Sequence, residues 1–259
     1  MPAQPMLSII IPCYNEEKNL QRGVLDEVYA YLATQMYAWE VVIVNDESTD
    51  QSRELISAFI ADKPRFRLQD IPHGGKPAAV WAGIQAARGD RVLFTDMDQS
   101  TPITAVEMLL PGYAAGYDGV IGSRGIAREG NSLLRKLGSA VFLNVRRLLL
   151  LRNIRDTQCG FKSFRREVAL EIFPRLQFFK TQERPKGWKV SAYDVELLFL
   201  CALTGYRIQE VTVPWRNRDV SDTKGQSGEL SRYVRESAEM LREVLRVKLN
   251  HLRGLYRQG

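Results

Sequence analysis

The sequence predicts an α/β protein built on a doubly wound, mostly parallel sheet flanked by helices, and three observations carry that prediction. Short runs rich in Val and Ile alternate with amphipathic stretches of helix length from Leu7 to Ser123. Two of these runs, Glu40–Asn45 (EVVIVN) and Arg91–Asp96 (RVLFTD), are almost continuously apolar, as strands buried on both faces of a parallel sheet must be. The segments between runs are long enough for helical crossovers, which are right-handed in such sheets.

Taken in order, Leu7–Pro12 (LSIIIP), Glu40–Asn45, Arg67–Ile71, Arg91–Asp96 and Gly119–Ser123 read as strands. Glu16–Gln35, Thr49–Asp62, Lys76–Arg88 and Pro102–Gly116 read as the helices between and after them. Asn131–Leu151 places Leu134, Leu137, Val141, Val145 and Leu148 three or four apart, the pattern of a helix with one oily face. A helix follows Asp156–Phe164 (DTQCGFKSF), then a polar loop, 180–189, a helix over Ala192–Thr204 and a strand over Arg207–Val213. Arg216–Gly228 reads as a mobile loop, and Glu229–Tyr256 as a long amphipathic helix with Leu241, Leu245, Leu249, Leu252 and Tyr256 in register. Both leucine-striped helices read as core by their spacing, with contact to anionic lipid headgroups as the alternative. This organisation makes 1–228 one α/β domain, with a regular first half to about 124 and a less regular half after it, and 229–259 a basic C-terminal helix.

Composition narrows the chemistry. The 259 residues are 45% hydrophobic and 25% charged, ordinary for a globular chain. A net charge of +6 suits phosphate-rich ligands, nucleic acid or an anionic membrane without choosing among them. Three scattered cysteines, Cys13, Cys159 and Cys201, give no disulfide framework and fit a reducing compartment. With only His73 and His251 and no CxxC pair, a metal must be held by carboxylates, which points to Mg²⁺ or Mn²⁺. Neither a secretory leader nor a membrane-spanning helix is expected, so the location expected is cytoplasmic, with peripheral contact at the cytoplasmic face of a membrane possible.

In a doubly wound sheet, ligands bind beyond the C-terminal ends of the strands. Those ends carry Cys13-Tyr14-Asn15-Glu16, Asp46-Glu47-Ser48-Thr49-Asp50, His73-Gly74-Gly75-Lys76, Asp96-Met97-Asp98 and Arg124. Asp96 and Asp98 leave a buried strand one residue apart, so both carboxylates can approach one divalent cation that also binds a diphosphate. A solvated pair of loop acids is the bland reading of any DxD, and the strand-end position argues against it. Asp46 could accept hydrogen bonds from a base or ribose, Tyr14 offers a ring and Glu16 a carboxylate, though Ser48, Thr49 and Glu16 also suit helix starts. Gly74-Gly75-Lys76 suits a phosphate-facing turn but lacks the spacing of an NTPase loop.

The segments SIIIPCYNEEKNL, VVIVNDESTD, GGKPAAVWAGIQAARGDRVLFTDMDQSTP, VIGSR, IRDTQCGFKSFRRE and YDVELLFLCALTGYRIQEVTVPW together resemble the inverting family 2 glycosyltransferases of GT-A fold. Within them the sequence is most similar to the dolichyl- and polyprenyl-phosphate glucosyltransferases and mannosyltransferases. The resemblance covers about residues 7–215. It implies a hexose moved from a nucleotide-sugar, UDP-glucose favoured and GDP-mannose the alternative, to polyprenyl or dolichyl phosphate. By position it implies a nucleotide pocket of Pro12, Tyr14, Glu16 and Asp46. It implies metal and diphosphate ligands at Asp96, Asp98 and Ser100. Arg124 and Arg135 would hold the acceptor phosphate, Asp194 the general-base position, and Lys76, Arg216, Arg218 or Lys224 basic contacts to the diphosphate. The chain departs from the family pattern at Asn45-Asp46-Glu47 and Gly75-Lys76-Pro77, positions that bear on base and sugar selectivity. A hydroxyl-acceptor transferase and a non-catalytic nucleotide-sugar-binding module are the competing readings. No nucleic-acid motif is present to make nucleic acid a partner.

Overall fold

The structure, a computed structural model, describes residues 5–125, 150–151, 153–180, 193–221 and 229–256, with side chains of the last helix described from Leu241 on. Its strands are β1 (Leu7–Cys13), β2 (Trp39–Asn45), β3 (Phe66–Asp70), β4 (Arg91–Phe94), β5 (Gly119–Ser123), β6 (Lys162–Arg165) and β7 (Ile208–Thr212). The helices are α1 (Glu17–Gln21), α2 (Val24–Ala33), α3 (Ser52–Ile60), α4 (Lys76–Ala86), α5 (Val106–Ala114), α6 (Arg166–Ile172), α7 (Tyr193–Thr204) and α8 (Glu229–Leu252). The strands form one sheet in the order β3-β2-β1-β4-β6-β5-β7. The β3-β2-β1-β4 block and the β5-β7 pair are parallel, and β6 runs antiparallel to both of its neighbours.

Period-two alternation within strands that are apolar throughout builds a core on each face. Ile9 and Ile11 join Val41, Ile43 and Leu93 beneath α2, α3 and α5. Ile10 joins Val42, Val44 and Phe94 on the opposite face, beneath α4, α6 and α7. Each of these fully buried side chains contributes roughly 1.5–3 kcal/mol of burial free energy. Pro12 sits inside β1 without breaking a ladder. Pairing to β4 ends at Ile10 and Phe94, so no partner waits for the missing N–H at Pro12.

Several expected elements change in detail. The helix expected over 16–35 is two, α1 and α2, broken at Gly23, whose φ of 80° turns the chain. The segment Lys162–Arg165, at the end of the run after which a helix is expected, is the antiparallel strand β6. Four residues with a lysine among them carry too little alternation to show as a strand, and its placement comes from pairing with β4 and β5. The core reading of the C-terminal stripe is corrected. Val244 and Val247 of α8 are buried, but Leu241, Leu245, Leu249 and Leu252 are exposed; Tyr256, just past the helix end, is buried as that reading expects. The helix expected over Asn131–Leu151, and Arg135 on it, lie outside the described residues apart from its last two positions. Among the described residues, no helix is long and apolar enough to cross a membrane.

Candidate active site

Strand order reverses at the β1–β4 boundary, and the loops after β1, β2 and β4 meet there. Each of these loops holds one non-glycine residue in the left-handed region: Asn15 at φ 54°, Glu47 at 57° and Gln99 at 50°. Such conformations persist where the surroundings enforce them, and they gather at working sites. Here the enforcing contacts are visible. Asn15 accepts from the Thr49 N–H (2.8 Å), the Glu16 N–H donates to Ser52 (2.8 Å), and Glu17 N–H donates to Asp50 (3.1 Å), stitching the β1 and β2 loops together.

Asp96 and Asp98 stand at the centre. Lys76, the first residue of α4, ion-pairs with Asp96. Burial works against the Lys76 ammonium, yet the carboxylates of Asp96, Asp194 and Asp98 hold its pKa above the usual lysine value. The Asp98 carboxyl is pushed up by burial and by the Asp96 charge, against a hydrogen bond from the Ser100 N–H at 2.8 Å. Gly160, from the DTQCGFK run, packs so closely against the Asp96 carboxylate that an added Cβ would overlap it. Two repelling carboxylates with hard oxygen donors fit Mg²⁺ or Mn²⁺. Among the described residues no three His, Cys, Asp or Glu side chains converge to hold a metal alone. That also fits, because Mg²⁺ commonly takes one or two carboxylates and completes its shell with substrate phosphates and water. Ser100, expected as a third ligand, accepts the Arg218 N–H on its hydroxyl (3.2 Å).

Around this pair the structure assembles groups that local sequence did not reveal. Glu16 accepts from Asn19 at 2.6 Å, and the same Asn19 amide reaches Asp219 at 3.2 Å. Burial first, then the charges of Asp219, Asp98 and Asp96, push the Glu16 carboxyl up to about 7. Arg22 ties the layers together by donating to the backbone carbonyls of Asp98 (2.8 Å) and Arg218. Arg22 and Asp219 lie outside every segment that carries the resemblance, and only the fold brings 219 near 98.

Asp46, expected to face a nucleotide, has other partners. Its carboxylate accepts from the N–H groups of Gly74 (2.7 Å) and Gly75 (2.9 Å) and lies 3.1 Å from His73 Nδ1. At 2% exposed it holds the Gly74-Gly75-Lys76 turn in place and so positions Lys76. His73 in turn packs against Tyr14, ring centroids 4.4 Å apart and tilted by 33°, leaving an aromatic pair open at the sheet edge. Pro12 is half-buried beneath this edge.

On the acceptor side, Arg124 is clamped by Asp156 through two side-chain hydrogen bonds (2.7 and 2.8 Å), with a third from its backbone N–H. Burial would raise the Asp156 carboxyl, but the Arg124 guanidinium holds it well below the usual carboxylate range. Among the described residues these bonds use Arg124 N, Nε and Nη2, and Nη1 is the remaining donor on the fork. Asp194, at the start of α7, is buried and paired at 2.7 Å with Lys162, which is fully buried. Arg218 turns its guanidinium onto Glu27 (2.7 and 2.8 Å), so the expected basic lid is folded back there. Arg216 is exposed and donates its N–H to the Ser100 carbonyl at 2.9 Å. Lys224 and Arg135 lie outside the described residues.

Comparison with known proteins fits this geometry. Residues 8–173 match the sequence model of Glycosyl transferase family 2. A dolichyl-phosphate beta-glucosyltransferase (ALG5A) of Trichomonas vaginalis is 34% identical over 237 residues, covering 86% of this chain and 69% of that protein. The Homo sapiens dolichyl-phosphate beta-glucosyltransferase is 30% identical over 272 residues, covering 97% and 77%. Among solved structures, glucosyl-3-phosphoglycerate synthase from Mycobacterium tuberculosis, in complex with Mn²⁺, UDP-glucose and phosphoglyceric acid, shares the fold. Its TM-score is 0.60 at 18% identity, covering 94% of this chain and 80% of that one. A mannosyltransferase from Pyrobaculum calidifontis in complex with GDP-mannose and Mn²⁺ gives a TM-score of 0.55 at 17% identity, over 100% and 77%. The seven-stranded sheet is thus that of the GT-A glycosyltransferases, and the chain belongs to glycosyl transferase family 2.

Proposed function

We propose that this chain moves glucose from UDP-glucose to the phosphate of a dolichyl or polyprenyl phosphate, inverting the anomeric carbon. The observation that carries the reading is the Asp96–Asp98 pair beyond the end of β4, with Lys76 ion-paired to Asp96. The names of the related glucosyltransferases support the sugar and the acceptor. Asp96 and Asp98 would hold Mg²⁺ or Mn²⁺, which supplies charge neutralisation to the departing diphosphate. Tyr14 and His73 stack the base, Glu16 reaches a ribose hydroxyl, and Lys76 offsets phosphate charge. Arg124 orients the acceptor phosphate, and Arg135 is the second arginine that the family resemblance assigns to it. Residues 1–228 would form the catalytic body, working at the cytoplasmic face where a lipid acceptor is presented.

A phosphate acceptor is already anionic near neutral pH and needs no strong base. The pairing of Asp194 with Lys162 suits that, since it engages the carboxylate in a buried ion pair at 2.7 Å. A hydroxyl acceptor would ask more of Asp194, so the ion pair favours the phosphate. The test is a product assay with radiolabelled UDP-glucose, Mn²⁺ and dolichyl phosphate, run beside GDP-mannose. Lipid-extractable glucosyl phosphate that requires metal is expected. Transfer only to soluble hydroxyl acceptors, or only from GDP-mannose, would overturn the assignment.

A further inference from the structure

The face of α8 that the core does not use has the makeup of a bilayer-contacting surface. Over residues 241–256 two valines, Val244 and Val247, and the nearly buried Asn250 face the protein. At about 100° per residue, Leu241, Leu245, Leu249 and Leu252 fall within an arc of roughly 80° on the side away from them. These four leucines are 39%, 45%, 49% and 68% exposed, and Leu255 after the helix is 46% exposed. The arc has basic borders: Lys248 on one side, Arg242 and Arg253 on the other. Over the same stretch four Lys and Arg side chains stand against one carboxylate, Glu243, a net +3, and Glu243 is paired to Arg246 at 2.7 Å.

The helix is also fixed in place, so the stripe is a rigid feature. Glu196 of α7, wholly buried, accepts from Tyr256 (2.7 Å) and Gln177 (2.9 Å) and pairs with Arg246 (3.0 Å). His251 packs edge-on against Phe199 at 5.3 Å. These contacts hold the leucines outward and bind α8 to the helix that carries Asp194.

We infer that the leucine face of α8 docks on an anionic lipid bilayer, with Leu241, Leu245, Leu249, Leu252 and Leu255 in the interface and Arg242, Lys248 and Arg253 at the headgroups. A stripe of leucines between cations matches a surface that is apolar in depth and negative at its rim. A second copy of this chain would set the same basic borders against each other. The inference deepens the lipid-acceptor reading and rests on it for its purpose, but its test does not depend on turnover.

The test is co-sedimentation of the whole protein with vesicles of phosphatidylcholine alone and with phosphatidylglycerol added. The wild type is compared with the double variant Leu245→Glu/Leu249→Glu, whose two positions are exposed. Wild type should pellet with the phosphatidylglycerol vesicles, at least tenfold less with neutral ones, and the variant should lose most of that binding. Its melting temperature and its UDP-glucose-induced thermal shift should remain those of wild type. Failure of the wild type to pellet, or equal pelleting by the variant, overturns the inference. So does light scattering that shows a wild-type dimer split by the variant. Pelleting with no transfer to dolichyl phosphate would sink the acceptor reading and leave the surface standing, and transfer without pelleting would do the reverse.

Discussion

Replacing Lys162 with methionine keeps the bulk of a fully buried side chain and removes its charge. Its ammonium lies 2.7 Å from Asp194, whose side chain is 9% exposed. The partner carboxylate cannot turn to bulk water and keeps only the attraction of Lys76 nearby, so the variant leaves a buried charge without its close partner. Breaking a buried ion pair from one side costs about 3–5 kcal/mol. At roughly 2–4 °C per kcal/mol for a chain of this size, Lys162→Met should melt on the order of 10 °C below wild type. The double variant Lys162→Met/Asp194→Leu leaves no unpaired charge and should recover most of the loss, because apolar side chains of similar volume often replace such pairs at little cost. Differential scanning calorimetry of the wild type, both single variants and the double variant closes the cycle. A Lys162→Met protein melting within about 2 °C of wild type would refute the reasoning. So would a double variant less stable than Lys162→Met.

Four further outcomes follow from the site. Asp98→Ala should lower metal-dependent kcat/KM by roughly two to three orders of magnitude while leaving the melting temperature nearly unchanged, read by a UDP-release assay across a Mn²⁺ titration. Gly160→Ala should push the flexible Asp96 carboxylate aside and raise the Mn²⁺ needed for half-maximal rate by roughly tenfold, with circular dichroism unchanged. Tyr14→Ala or His73→Ala should each weaken UDP binding by roughly tenfold in calorimetry, since each removes one ring of the aromatic pair. Burial raises Glu16 to about 7 in the folded protein. The folded state therefore binds the proton more tightly than the unfolded chain, and the stability this contributes is complete below about 4.5 and lost as pH rises through about 7. Without added metal, Glu16→Gln should flatten the fall in urea midpoint across that window; an unchanged slope would contradict the assignment.

The sequence by itself determined the parallel half of the sheet and the edge at which the site lies. Val- and Ile-rich runs from Ser8 to Ile11 and from Val41 to Val44 must be buried on both faces, and a chain that alternates such runs with helices has few ways to arrange them. Asp96 and Asp98 follow a third such run, Arg91–Phe94, so their place at a strand end was legible in the sequence, as was the group of acidic, basic and aromatic residues at neighbouring ends.

What each of those residues touches was decided by the tertiary structure alone. Asp46 reads as a ligand contact in sequence, yet the fold closes it onto Gly74, Gly75 and His73. Asp219 sits among basic residues in the sequence and beside Glu16 and Asn19 in space. Lys162 looks like a surface lysine until β6 inserts between β4 and β5 and buries it against Asp194. The α8 leucines have the spacing of a core stripe, and only the docking of Val244 and Val247 turns them to the outside. The physical reason is the same in each case. Periodicity and propensity are local and survive in the order of residues, whereas hydrogen-bond partners, ion pairs and the buried side of a helix depend on which distant segments the sheet order brings together.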